Sequence, residues 1–302
     1  MRQIRSLGLI LAFLVGFSVP GLHEWIWLVP WFVRLMLFTV FVECRLDLIR
    51  IRRSHFALLF ANLAIGMAGC ALFRMFNCET LAQTAYFLGI APTAISAPAI
   101  MECLKGKVEY VITAFLLSTA AVAASLPFCL PWAVGSATPG AFLAVCERVG
   151  SVIVLPVVAA LLLRFFVPAS IHYLKKLNSL ILVLWMLTVA IICSGASAFM
   201  QSEVNVSRLV LLVTAVVSMV FCLLQFSLGY LLGERGYRRE ASQSLGQKNT
   251  SICIYLALTF ANPLVALGPT FYVVWHNLWN AWQMGFNTID KPDVQRETRP
   301  GR

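Results

Sequence analysis

The residues best able to do chemistry in this sequence stand in two short polar interruptions of apolar runs. The later one reads Ser244-Leu245-Gly246-Gln247-Lys248-Asn249-Thr250-Ser251, with a long apolar stretch still to follow. A lysine at such a depth costs roughly 2.5–3.5 kcal/mol at a bilayer centre on insertion scales, so it must either be compensated or escape to an aqueous edge. Two readings follow: a functional cation beside a helix break near Gly246, or the inner mouth of a span with Lys248 reaching back toward water. The earlier interruption, Ala91-Pro92-Thr93-Ala94-Ile95-Ser96-Ala97-Pro98, places two prolines six residues apart. Each removes a backbone N–H and clashes with the preceding turn at about 3 kcal/mol, so breaks are expected at Pro92 and Pro98, with a merely kinked helix as the plain alternative. In lipid the freed carbonyls must find partners. Discontinuous helices commonly meet that demand beside a polar cavity, with open backbone groups facing a ligand. Glu102, one turn after Pro98, is a candidate partner or proton carrier for Lys248; equally, it reads as a surface carboxylate beside Lys105 and Glu109.

This is the chemistry of binding and ion handling, not of bond-making. No paired carboxylates are expected within the membrane, and HExxH, GxSxG and phosphate-cradling glycine motifs are missing from the chain. Neither an enzyme nor a cofactor or metal site is expected. The nine cysteines fall singly and read as small apolar packing residues.

The elements that must position these residues follow from composition. With 60% hydrophobic and 12% charged residues over 302 positions and a mean hydropathy of +0.84, the chain reads as an all-α polytopic membrane protein. Segments of about 20 apolar residues are needed to span, and ten candidates recur at 7–19, 30–44, 56–73, 81–101, 108–130, 149–167, 177–200, 209–232, 244–261 and 264–284. The first, behind Arg2 and Arg5, has a cleavable signal peptide as its alternative; the tryptophans between Trp25 and Trp31 suit an outer interfacial belt. Placing the N-terminus in the cytoplasm puts seventeen of the 23 lysines and arginines in inner segments and three, Arg74, Arg148 and Arg208, in outer ones. That bias follows the positive-inside rule and supports ten spans with both termini cytoplasmic. The remaining three are Lys248 and two residues near span ends, Arg34 and Arg164, which are expected to snorkel to headgroups. The net charge of +10 is thus topological, and no nucleic-acid partner is expected. Residues 287–302 read as a disordered cytoplasmic tail. Short loops and inner-loop charge suit a bacterial inner membrane.

Dividing the ten spans into halves of five, 1–138 and 139–286, puts the interrupted helix fourth in each. An odd-numbered unit repeated in tandem inserts with opposite polarity the second time, and broken helices at matching positions of inverted repeats point to a transporter's midplane site. The two halves show no convincing residue identity.

Near the C-terminus Gly246, Asn249, Ala257-Leu258, Asn262-Pro263-Leu264-Val265-Ala266-Leu267 and Val274-Trp275-His276-Asn277 resemble the second crossing helix and last helix of the bile acid:sodium symporter family. Weaker similarity covers Pro92, Lys105-Gly106 and the opening from Phe13 to Val42. The resemblance implies a secondary transporter of organic anions working by alternating access. It also implies a core domain from spans 3–5 and 8–10, and a panel from spans 1–2 and 6–7. For substrate binding it implicates Asn249, His276 and Asn277; Thr250, Thr93 and Ser96 join them as polar residues in apolar company. Left alone, His276 would more often be a packed histidine bonded to a carbonyl.

Where the family coordinates two sodium ions with a Ser-Asn pair, a Glu and a Gln, the corresponding residues here are Ala97-Pro98, Ser244 and Lys248, beside Gln247. A lysine ammonium offers only donors. The expectation is a transporter of a small organic anion in the lipid bilayer, not coupled to sodium, with Lys248 as a fixed cation. A proton is the coupling ion if that lysine can release its own. Three alternatives stay open: a receptor that binds without moving its ligand, a passive channel, and a sodium symporter with rebuilt ion sites.

Overall fold

The computed structural model describes residues 2–44, 46–167, 178–202 and 208–289. Within them the chain is all-α, with no strand. Helix α1 (Arg2–Ser18) leads through a 3-10 run, Pro20–Leu28, into α2 (Val29–Glu43). Then come α3 (Arg53–Met75), α4 (Glu79–Ile90), the short α5 (Ala97–Cys103) and α6 (Val108–Ala133). Helices α7 (Pro139–Val149) and α8 (Leu155–Phe166) are joined by a π-helical turn, Gly150–Val154; α9 (Asn178–Ser202), α10 (Arg208–Leu232), α11 (Arg238–Gly246), α12 (Thr250–Phe260) and α13 (Pro263–Ile289) complete the order.

Five helical segments among the described residues are long and apolar enough to cross a bilayer: Pro20–Glu43, Arg53–Met75, Val108–Ala133, Pro139–Phe166 and Leu209–Leu232. They mark an integral, multi-pass membrane protein. Large apolar side chains such as Phe60, Phe165 and Leu231 remain exposed on them, as a hydrocarbon solvent permits. The interior is equally apolar. Val33, Leu37 and Phe41 of α2 pack with Tyr86 and Phe87 of α4, Phe115 and Leu126 of α6, and Ile252–Leu256 of α12.

Several boundaries depart from the sequence expectation. The sixth span begins at Pro139, ten residues earlier than read, because Thr138 caps the helix by accepting the Ala141 N–H at 3.1 Å and Pro139 takes a first-turn position. Arg148, expected in an outer loop, is therefore helical. Arg34 and Arg164 do not simply snorkel. Arg34 donates to the Ser151 carbonyl in the π turn at 3.1 Å, and Arg164 donates to the Phe41, Val42 and Cys44 carbonyls that end α2. Most of the expected tail lies outside the described residues, although α13 continues through Ile289. Lys175, Lys176 and Arg45 also lie outside them.

The tightest helix pairing that matters for the site is α3 against α4. A Cβ added to Gly89 would come 2.2 Å from the Gly66 backbone, so only paired glycines allow the two backbones to approach this closely. That approach places Asn62, one turn before Gly66, beside the end of α4.

Candidate functional site

Helix α4 stops because Pro92 follows Ala91, and a residue before proline is driven out of the helical region; Ala91 adopts φ −51°, ψ 130°. Stopping there leaves the last carbonyls of α4 without intrahelical partners, deep inside the protein. Every one from Leu88 to Pro92 is nevertheless met by a donor from elsewhere. Gln225 Nε2 of α10 reaches the Leu88 carbonyl at 3.2 Å, and Asn62 Nδ2 of α3 reaches that of Ile90 at 3.0 Å. The Lys248 ammonium takes Gly89 at 3.3 Å and Ala91 at 3.0 Å, and the Asn249 N–H takes Pro92 at 2.8 Å. The third ammonium proton goes to Asn62 Oδ1. All three donors of the lysine are used, and each end of the Asn62 amide is engaged.

Lys248 is 2% exposed and sits in the gap between α11 and α12. It is thus a buried residue within a helix break, and the reading in which it reaches back to water is excluded. A cation at a helix C-terminus also meets the negative end of the helix dipole. Here the carbonyls do what a carboxylate would do in an ion pair. Glu102, by contrast, is exposed on α5 and is not among the groups bonded to the ammonium; its candidacy as the lysine's partner is corrected accordingly.

The second break faces the first. Thr93 and Lys248 form an isolated antiparallel bridge, flanked by Ala94 N–H to Gln247 O at 2.7 Å. The Thr93 hydroxyl donates to the Ser244 carbonyl at 2.7 Å, and its N–H to Ser118 Oγ at 3.0 Å. Gly246 ends α11 where a Cβ would lie 2.3 Å from the Phe226 ring, and its carbonyl accepts from the Tyr272 hydroxyl at 2.8 Å. The Ser244 hydroxyl turns back on its own helix, donating to the Glu240 carbonyl at 2.7 Å. Pro98 falls in the first turn of α5, where a missing N–H costs nothing. It therefore starts the second half-helix and does not break the first, as had been expected of it.

Extended residues alternate sides, so with Lys248 turned toward α3 and α4, its neighbours Gln247 and Asn249 fall on the opposite side of the bridge. There an amide ladder runs one way. Gln243 Nε2 donates to Asn280 Oδ1 at 3.1 Å, Asn280 Nδ2 to Gln247 Oε1 at 2.6 Å, and Gln247 Nε2 to Ser96 Oγ at 3.2 Å. Having accepted, the exposed Ser96 hydroxyl can direct its own proton outward. Asn249 Nδ2, His276 Nδ1 and Gln243 Oε1 are among the buried polar atoms that lack a partner among the described residues.

His276 lies between Tyr272 and Asn280 on one stripe of α13, and both of those contact the second break. Thr93, Ser96, Ser244, Gly246, Gln247, Lys248 and Asn249 are thus brought together, with Thr250 buried at the start of α12. Asn277 stands apart, its Nδ2 bonded to the Val273 carbonyl of its own helix at 2.7 Å. Sequence reasoning missed Asn62, Gln225, Tyr272 and Asn280. Only the four-residue spacing of Tyr272, His276 and Asn280 offered a signal. Among the described residues no cluster of His, Cys, Asp or Glu could hold a metal ion. Compared with known families and curated proteins, the chain matches no family model and no curated protein.

Proposed function

We propose that this protein is a secondary transporter of a small organic anion that works without sodium, with Lys248 as a covalently fixed cation at the crossing of two broken helices. The observation that carries this reading is the Lys248 ammonium itself, held by Asn62 and the Gly89 and Ala91 carbonyls at the end of α4. A positive charge so placed stabilises carbonyls that would otherwise need a bound ion, yet it cannot leave with the substrate. The residues resembling the sodium positions of bile acid:sodium symporters point the same way. Ala97 has no side-chain oxygen, and Lys248 presents donors only.

The organic anion is taken on the side of the bridge away from the lysine. Asn249 Nδ2 and His276 Nδ1 are buried without a partner among the described residues, and the ladder leaves the Ser96 hydroxyl as a donor. The ten-span reading fits the order of elements, with α4–α5 and α11–α12 each the fourth crossing of its half. The halves then form inverted repeats, both termini are cytoplasmic, and a core rocks against a panel in a bacterial inner membrane. Proton release from Lys248 is the route by which such a site would couple to an ion.

Counterflow in proteoliposomes across a set of labelled organic anions, with and without sodium, tests the proposal. Wild type should exchange a substrate equally well in both conditions, and Lys248→Gln and Lys248→Ala should lose that flux. Sodium-stimulated flux would overturn the fixed-cation mechanism in favour of a rebuilt ion site. Saturable binding without flux would make the protein a receptor, and flux without counterflow a channel.

A further inference from the structure

A second polar feature lies away from the crossing. An open cavity of about 930 Å3 is formed where the segment entering α3 meets the start of α6 and the turn between α10 and α11. Its wall sets Arg50 and Arg52 beside Tyr237 and beside Ile49 and Ile51, whose side chains are exposed. The backbone there is fixed. The Arg50 N–H donates to Thr113 Oγ1 at 2.8 Å and the Arg52 N–H to His55 Nδ1 at 2.9 Å. The Arg52 guanidinium lies 3.9 Å from the centre of the Tyr237 ring and donates to its hydroxyl at 2.6 Å. The Lys107 ammonium approaches the same ring at 3.9 Å.

The acids nearby are mostly engaged elsewhere. Glu234 accepts the Ser54 N–H at 3.1 Å at the start of α3, and its other oxygen lies 3.4 Å from Arg52. Glu240 accepts the Lys107 N–H at 3.0 Å at the start of α6. Glu109 is the one acid in the cavity wall. Among the described residues the Arg50 guanidinium donates only to the carbonyl of its neighbour Ile49, at 3.0 Å, so most of its N–H groups meet no acceptor there.

We infer that this cavity seats the phosphate of an anionic phospholipid from the inner leaflet. The phosphate lies between Arg50 and Arg52, and the upper carbons of the acyl chains lie on Ile49 and Ile51. A guanidinium fork matches phosphate oxygens bidentately, and basic pockets between membrane helices on the cytoplasmic side suit anionic headgroups. The isoleucines decide for a lipid over a soluble anion, because exposed branched apolar side chains flanking each arginine give a chain-bearing phosphate a second contact that free phosphate cannot use. The placement relies on the cytoplasmic orientation of this end and is independent of whether the crossing transports anything.

The test is native mass spectrometry of the full chain in detergent, titrated with short-chain phosphatidylglycerol or phosphatidylcholine, with glycerol 3-phosphate as a soluble competitor. Phosphatidylglycerol should be retained preferentially, Arg50→Gln should weaken its binding about fivefold, and Arg235→Gln, an equal charge change outside the cavity wall, should leave it unaltered. Ile51→Ser, which keeps every charge, should weaken it as well. Equal retention of phosphatidylcholine, an unchanged Arg50→Gln variant or an equal loss in Arg235→Gln would each overturn the site. Displacement of the lipid by glycerol 3-phosphate at matched concentration, or an unaffected Ile51→Ser, would show that a free phosphate and not a lipid is recognised.

Discussion

The crossing and the rim at the start of α3 and α6 solve the same problem with opposite charges. At the crossing a C-terminal helix end is buried, and a lysine with two amides meets its carbonyls. At the rim, N-terminal helix ends are met by carboxylates, Glu234 on the Ser54 N–H and Glu240 on the Lys107 N–H. Both choices follow the helix dipole. The difference lies in what neutralises the charge. At the rim Glu234 is partly exposed and has Arg52 beside it, whereas the buried ammonium is bonded to carbonyl and amide oxygens. A cap of the second kind is worth more to the fold, because removing it leaves groups that water cannot rescue.

Mutations can break that comparison, and their effects should fall in a set order. Lys248→Met strips the donors from Gly89 and Ala91 and should cost about 3–5 kcal/mol, as when one partner of a buried charged pair is removed; thermal unfolding in detergent measures it. Asn62→Leu frees the Ile90 carbonyl and one ammonium proton together, and about 2–3 kcal/mol is expected. A loss as small as a surface substitution would mean that the α4 end is wetter than its burial indicates. Gly246→Ala drives a methyl into the Phe226 ring and should cost about 1–3 kcal/mol, with Gly246→Ser at least as harmful.

Glu234→Gln at the rim should cost about 1 kcal/mol or less, since its pair with Arg52 is partly exposed. The pH response sharpens the contrast. The Ser54 N–H, aided by Arg52, holds the Glu234 carboxyl below its ordinary range. A depressed carboxylate stabilises the fold fully above its unfolded pKa and loses that contribution as pH falls through the folded value. Stability should therefore decline below about pH 4.3 in wild type, and less steeply in Glu234→Gln. A pH series of melting temperatures on both proteins checks the sign.

How much of this could be read beforehand depended on whether a residue's signal was local. Pro92 declares its break through backbone chemistry alone, and Lys248 declares its burial by standing within an apolar stretch. Pro98 misled because a proline at the start of a helix and one that ends a helix look the same until the helix boundary is known. Asn62, Gln225 and Asn280 act through partners 28 to 137 residues away in the chain, and a single amide on an apolar helix announces nothing about what it faces. Asn277 was favoured over Asn280 by resemblance, whereas the four-residue step from Tyr272 through His276 puts Asn280 on the stripe that meets the break. Glu102 was one candidate partner for the lysine because a buried cation suggests an acid, but the open carbonyls of α4 meet that need, and Glu102 is exposed, as its alternative reading as a surface carboxylate has it.

The contact between Gly66 and Gly89 has a mechanical meaning beyond the space it saves. Two backbones in such contact have no compressible side-chain layer between them, so α3 and α4 can neither slide nor roll against one another and behave as a single rigid lever. The Asn62 amide, Lys248 and the Thr93 bridge fasten the second break to that lever. Under the transport proposed above, any motion that opens one face and closes the other is absorbed outside this assembly.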